Sequence, residues 1–215
     1  MLNNMFFIAK TPAFLKWLYP SCIWKIPNER NQIFLTFDDG PTDSFTARIL
    51  ALLKAESIKA TFFCVGSQID KNSALFQEII QADHAIANHT YNHLNGWNTN
   101  KQEYLNNTQK CQQLTKTSLF RPPYGKITRK QLKVLKKNYK IIMWDVAGGD
   151  FIDRLSSNDL INNVVKNTCS GSIIVLHDNE KFGEKMLASL PEIIRQLKEK
   201  GFVFSKIPSD ARAQL

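Results

Sequence analysis

Strand-like and helix-like runs alternate along almost the whole chain, and this alternation restricts its fold more than any other feature. QIFLTF (32–37) is apolar and ends at Gly40-Pro41. A helical pattern follows over 44–56, with Phe45, Ile49, Leu52 and Leu53 at helical spacing and Asp43 or Ser44 placed to cap it. The same reading predicts strands over 58–66, 84–89, 140–146, 171–178 and 202–205. It predicts helices over 72–82, 100–116, 128–138, 157–167 and 184–200. LFRPPYG (119–125) extends only briefly before two prolines stop it. The pattern amounts to about seven βα units, which implies a mostly parallel sheet with helices outside. Unusual polar groups stand at the ends of successive strands: Asp38-Asp39, His89, Arg121, Asp145 and His177-Asp178. In a closed βα barrel those ends meet on one face, where active sites are built.

The chain has 215 residues, 43% apolar and 22% charged, enough for one domain with a sizeable core. No Gly/Ser-rich or Pro-rich linker divides it. The expected organisation is a lead-in segment over 1–30, packed on a barrel domain over 31–215, acting as a monomer. The four cysteines lie far apart without a C-x-x-C pair, which argues against a zinc ribbon or a thioredoxin-type motif and suits a reducing compartment. The apolar N-terminus is interrupted by Lys10, Pro12, Lys16 and Pro20, so it reads as neither a membrane span nor a clear export signal. A cytoplasmic location is expected. Peripheral contact with the inner face of an anionic membrane is the sharper version, using Phe6, Phe7, Phe14, Trp17 and Trp24 with Lys10, Lys16 and Lys25. The net charge of +9 is concentrated in 126–140, where seven basic residues occur without an acid. Such a stripe is a solvated face or an attraction to anionic lipid or glycan. No nucleic-acid recognition motif accompanies it.

His89 and His93 lie four positions apart, so a helical turn after the strand would put both imidazoles on one face, as a stacked pair or as metal ligands. One added carboxylate makes three protein ligands and leaves a position open for water, the pattern of a catalytic zinc. Adjacent Asp38 and Asp39 repel one another, and a cation relieves that repulsion. One acid can then bind the ion and the other serve as base. In a regular strand the two would point to opposite faces, so the Gly40-Pro41 turn must break the alternation.

TFDDGP (36–41), HTYNH (89–93), RPPYG (121–125), WDVAGGDF (144–151) and VLHD (175–178) resemble, in order, the five motifs of the NodB-homology polysaccharide deacetylases, carbohydrate esterase family 4. The resemblance spans about residues 32–205. It implies a distorted (β/α) barrel and metal-dependent hydrolysis of N-acetyl groups on amino sugars, with release of acetate. By position, Asp38 resembles the general base, and Asp39, His89 and His93 the metal ligands. Arg121 would pair with Asp38, and Tyr124 would offer its backbone N–H to the developing oxyanion. Pro123, with Pro122, would stiffen that loop, His177 would protonate the leaving amine, and Leu176 would line the acetyl pocket. His84 is expected to be structural. Zinc is the first choice of metal, with cobalt, nickel or manganese as substitutes.

The fourth motif departs from the family's D-x-x-D-W. Aligned through Asp150, Ala147 takes the first acid's place and Phe151 the tryptophan's. Asp145 is two residues before Ala147, so strand alternation predicts that it replaces the missing acid as partner of His177, with Phe151 keeping an aromatic wall. The expected substrate is an acetylated amino-sugar oligo- or polysaccharide or lipid-linked glycan; a chito-oligosaccharide or a lipid-linked N-acetylglucosamine precursor is preferred, since a polymeric wall glycan would require an export signal that is not clear here. A non-catalytic carbohydrate-binding protein and an O-deacetylase of a polysaccharide such as xylan stay open. A glycosidase is disfavoured, because adjacent acids cannot flank one glycosidic bond at the ~5 to 9.5 Å its mechanisms use.

Overall fold

The structure is a computed structural model and describes residues 7–212, so Phe6 lies outside the described residues. The strands are β1 (Gln32–Asp38), β2 (Thr61–Cys64), β3 (Ala85–Asn88), β4 (Leu119–Phe120), β5 (Lys140–Ile141), β6 (Val146–Ala147), β7 (Ile173–His177) and β8 (Val203–Phe204). The helices are α1 (Ala13–Leu18), α2 (Thr46–Ala55), α3 (Gly66–Lys71), α4 (Ser73–Gln81), α5 (Lys101–Thr115), α6 (Arg129–Leu135), α7 (Ser157–Asn167) and α8 (Gly183–Glu199). The sheet runs β5-β4-β3-β2-β1-β7-β6, all parallel, with β8 added beside β1. This is the curled sheet of a distorted (β/α) barrel.

Both faces of the sheet are buried, as parallel strands require. One face carries Ile33, Leu35, Phe37, Phe62, Ile174 and Leu176 into a layer shared with apolar residues of α2, α4, α7 and α8. The other carries Phe34, Phe63, Ala87, Leu119 and Ile173 into the barrel interior. Register places Asp38 opposite His177 on one side and Phe63 on the other, while Asn88 pairs with Phe120. The residues that end β1, β3, β4 and β7 therefore arrive at one rim.

The single strand expected over 140–146 is two short ones at opposite edges of the sheet. Between them the chain pairs with the N-terminal segment instead. Ile23 bridges Ile142 in parallel and Lys10 bridges Val146 antiparallel. The Met143 N–H donates to Ile23 O at 2.8 Å and the Ala147 N–H to Ala9 O at 2.8 Å. The lead-in segment thus fills the gap between two sheet edges and satisfies backbone groups that would otherwise be unpaired. This also corrects the proposed set of membrane anchors. Trp24 is buried, and Lys10 and Lys16 are bound to Asp145, at 2.5 and 2.6 Å. Phe14 and Trp17 are exposed, at 64% and 82%.

Helix α5 is polar in sequence because its buried stripe is Tyr104, Thr108, Cys111 and Thr115 rather than aliphatic. Asn100 caps it by accepting from the Glu103 N–H. At α2 neither Asp43 nor Ser44 caps; the residue at that position is Phe45, and the nearby Thr46 hydroxyl accepts from the Thr42 N–H instead. Helix α3 has no apolar periodicity to announce it. Its first N–H groups, of Gly66 and Ser67, donate to the carbonyls of Thr90 and Tyr91, which ties it to the loop carrying both candidate histidines.

Candidate active site

Asp38 and Asp39 leave β1 in different directions because Asp39 takes φ +86°, breaking the pleat at the acid itself, one residue before the expected turn. A side chain rarely adopts such a backbone, and its cost is offset by the contacts that follow. Asp178 anchors the turn: its carboxylate accepts from the Gly40 N–H at 2.8 Å and from the Thr46 hydroxyl at 2.6 Å. A Cβ on Gly40 would lie 2.1 Å from Asp178 Oδ2, so any larger residue would have to displace that carboxylate. Burial pushes the Asp178 carboxyl up to about 8.

Arg121 is fully buried and crosses the barrel interior. Its guanidinium donates to Asp38 Oδ1 at 2.5 Å, to Thr36 Oγ1 at 2.8 Å and to the carbonyls of Ile142 and Met143, and lies 3.8 Å from the centre of the Phe63 ring. Removing such a charge from water is costly, and this complete set of acceptors holds it there. Burial raises the Asp38 carboxyl above the usual range and Arg121 opposes the rise. The outcome is an oriented carboxylate with Oδ1 occupied and Oδ2 left for a proton.

Asp39 turns the other way, toward two imidazoles. Its Oδ1 lies 3.0 Å from His93 Nε2 and 3.6 Å from His89 Nε2, while Oδ2 accepts from Asn179 at 2.6 Å. The helical turn expected between the histidines is absent. They meet through a bend in which Thr90 and His93 have positive φ, at 62° and 53°. Asn107 of α5 clamps that bend by accepting from the Tyr91 and Asn92 N–H groups, at 2.8 and 2.9 Å. His89 Nδ1 donates to Arg121 O at 2.8 Å, which fixes the tautomer and leaves the Nε2 lone pair toward Asp39. Burial, then the neighbouring His93, keeps the His89 imidazole neutral. For Asp39 burial works against charge, but His93 and the other nearby imidazoles outweigh it and hold the carboxyl below its usual range.

These residues fit a divalent cation. Asp39 Oδ1 is buried and accepts no hydrogen bond of good geometry, although two ring nitrogens flank it. The three donor atoms lie within 4.8 Å of one another. A tetrahedral zinc with bonds of about 2.1 Å spaces its ligands roughly 3.4 Å apart, so small movements would close the set.

His177 ends β7 beside Asp38, and the structure corrects its expected partner. Asp150, not Asp145, accepts from the His177 N–H at 2.6 Å, with its Oδ1 3.1 Å from Nδ1. Asp145 is aligned with Ile173 at the start of β7, four residues or roughly 13 Å from His177. There it binds Lys10, Lys16 and the Ser172 hydroxyl. Shared parity along a strand was the wrong criterion, because Asp145 precedes the short β6 and sits at the opposite end of the barrel. Burial disfavours charge on His177, but Asp150 and its hydrogen bond outweigh this and push the imidazolium up to about 10.

Leu176 is corrected by the same alternation. It packs in the sheet–helix layer, whereas Val175 shares the inner face with His177. Phe151 stands edge-on to His177, with ring centres 5.4 Å apart, and Phe182 adds a second aromatic at 6.2 Å. Tyr124 lies across the site, its ring 4.6 Å from that of His93 and its backbone at φ +61°. Its N–H has no acceptor among the described residues, and Pro123 beside it is buried. His84 lies apart from the site and accepts from the Ala60 N–H; burial lowers it to about 4. Sequence reading gives Asn107 and Asn179 no role, since Asn in loops and polar helices is common and carries no local signal, and marks Asp178 only as a polar group at a strand end.

Residues 25–140 match the family model described as polysaccharide deacetylase. The chain belongs to the polysaccharide deacetylase family. This polysaccharide deacetylase is 37% identical over 193 residues to a peptidoglycan-N-acetylglucosamine deacetylase of Bacillus cereus, covering 85% of this chain and 69% of the relative. A chitooligosaccharide deacetylase of Azorhizobium caulinodans is 29% identical over 203 residues, covering 86% and 96%. The crystal structure of the Bc1960 peptidoglycan N-acetylglucosamine deacetylase in complex with 4-naphthalen-1-yl-N-oxidanyl-benzamide superposes with a TM-score of 0.86 at 33% identity, covering 95% of this chain and all of that one.

Proposed function

We propose that this polysaccharide deacetylase removes acetyl groups from N-acetylglucosamine-type sugars of an oligosaccharide, polysaccharide or lipid-linked glycan, releasing acetate. The observation that carries this reading is the division between neighbouring acids: Arg121 holds Asp38, and Asp39 faces His89 and His93 with an unsatisfied buried oxygen. The relatives that act on peptidoglycan and chitooligosaccharides support the same class of substrate.

Asp39, His89 and His93 would hold the metal, with zinc preferred and cobalt, nickel or manganese able to replace it. When bound, such an ion polarises an acyl oxygen and lowers the pKa of water from about 15.7 toward 7. Asp38 Oδ2 takes the proton from the attacking water, and its burial strengthens it as a base. The Tyr124 N–H meets the negative charge that grows on the acyl oxygen. His177, charged at neutral pH, gives its proton to the departing amine, which could not leave as an anion. Phe151 and Phe182 shield that transfer from water. Acetate release from acetylated chitin oligomers and peptidoglycan strands, abolished by chelator and restored by zinc, is the test. Metal-independent release, or none from any acetylated glycan, would refute the proposal.

The exposed Phe14 and Trp17, with the exposed Lys130 and Lys133 of α6 and Lys136 and Lys137 just after it, support peripheral binding to anionic lipid. A cytoplasmic or inner-membrane-face location is likewise our inference. Co-sedimentation with anionic and neutral vesicles, and fractionation of cells, test these two points.

A further inference from the structure

Beyond the reacting centre, Trp97 is 60% exposed, yet its loop is tightly built. Asn95 organises it: its side chain accepts from the Trp97 N–H at 3.0 Å, and its carbonyl accepts from the Asn98 N–H and the Thr99 hydroxyl, at 3.1 and 2.8 Å. Gln131, fully buried in α6, donates to the carbonyls of Gly96 and Thr99, at 2.9 and 3.2 Å. Gly96 is pressed so closely against Lys126 that a Cβ would lie 2.4 Å from the Lys126 carbonyl. The indole itself is fixed by Nε1–H donating to Ile127 O at 3.3 Å, and Lys126 Nζ stands 5.2 Å from the ring centre. A buried amide and a glycine contact thus hold a large aromatic ring open to water. A large aromatic ring held open to water on a rigid support is available to stack against a ligand.

Its position shows what it would bind. Trp97 follows the candidate ligand His93 by four residues, at most roughly 14 Å of chain. Its partner loop carries Tyr124, whose ring touches His93. Phe151 and Phe182 stand beside His177 at the other side of the centre. Aromatic rings therefore stand beside both His93 and His177, and Trp97 lies a few residues beyond His93. The C–H face of a pyranose suits an indole ring, and the Lys126 ammonium beside it suits a carboxylate.

Building on the deacetylase reading, we propose that Trp97 and Lys126 form a separate subsite for a neighbouring sugar ring of an extended glycan, favouring a ring that bears a carboxylate. The test compares the wild type with Trp97→Ala, Trp97→Phe and Lys126→Gln on acetylated glucosamine oligomers of increasing length and on peptidoglycan glycan strands with free lactyl carboxylates. The expected result for Trp97→Ala is a roughly tenfold fall in the ratio of kcat/KM between the longest and shortest oligomers, the equivalent of one lost stacking contact. Trp97→Phe should restore most of that ratio, and Lys126→Gln should reduce the preference for carboxylate-bearing strands over neutral ones. Calorimetric binding of the same glycans to Asp38→Asn, with and without Trp97→Ala, reads the subsite without turnover. A length advantage that survives Trp97→Ala in both measurements overturns the platform. A carboxylate preference that survives Lys126→Gln overturns the role of the ammonium. Absence of acetate release alongside length-dependent binding would refute the deacetylase reading and leave the subsite standing.

Discussion

Asp150 grips His177 at two points, taking its backbone N–H at 2.6 Å and facing its Nδ1 at 3.1 Å. The imidazolium is stabilised in the folded state and raised to about 10, so an acid is available at neutral pH. The rate should fall as pH rises through that value. Asp150→Asn keeps a hydrogen-bonding group but removes the charge, and should shift the alkaline limb of kcat/KM down by about one pH unit or more. The linked effect on stability has a definite sign. A folded-state pKa above the unfolded value of 6.5 stabilises fully below 6.5, and that stabilisation is lost as pH rises toward about 10. The fall in Tm between those limits should be shallower in Asp150→Asn.

Asp145 provides the contrast. Bound to Lys10, Lys16 and Ser172 far from the reacting rim, Asp145→Asn should lower Tm while leaving the shape of the pH–rate profile in place. A shifted alkaline limb in this variant would contradict the placement of Asp145 at the opposite end of the barrel.

The Arg121–Asp38 pair is buried on all sides. Arg121→Ala should destabilise by about 3–5 kcal/mol in urea unfolding, because it strands a carboxylate without its partner. Adding Asp38→Asn should recover a large part of the loss while activity stays abolished. The double-mutant cycle measures that coupling.

If Asp39, His89 and His93 hold zinc as proposed, the ion should raise Tm, because the triad is assembled only in the folded chain. At a free concentration 100 times its Kd the gain is about 2.7 kcal/mol. His93→Ala and Asp39→Asn should each remove that gain, and calorimetric titration should show weakened binding. A zinc-induced shift that persists in both variants would place the ion elsewhere.

Gly40→Ala should cost about 1–3 kcal/mol and a larger share of activity, since the new methyl group would collide with Asp178 and displace the turn carrying both acids. Urea unfolding and acetate release, measured side by side, separate the two effects.

The parallel α/β architecture was legible in the sequence because apolar periodicity records which residues face a core, and both layers of this barrel are continuous. The candidate site was legible where chemistry sits in short contiguous motifs: Asp38 with Asp39, His89 with His93, Arg121 before its prolines. Reading failed at Asp145 and Leu176, whose surroundings are set by remote strands and not by their own motif. Asp145 and Asp150 have the same side chain five residues apart, and only the register of β6 on β7 decides which of them meets His177. Leu176 and Val175 differ by one step in a pleat whose direction is set by the neighbouring strands.

The sequence by itself determined the succession of strands and helices, the two-acid and two-histidine motifs and the membership of a family, because these are properties of local order and composition. Tertiary structure decided how Asp39 leaves the pleat to reach the imidazoles while Asp38 keeps Arg121, how the N-terminal segment fills the gap between β5 and β6, and which carboxylate charges His177. Those outcomes depend on interactions across tens of residues of chain, where burial and hydrogen-bond geometry, rather than local pattern, select the partner.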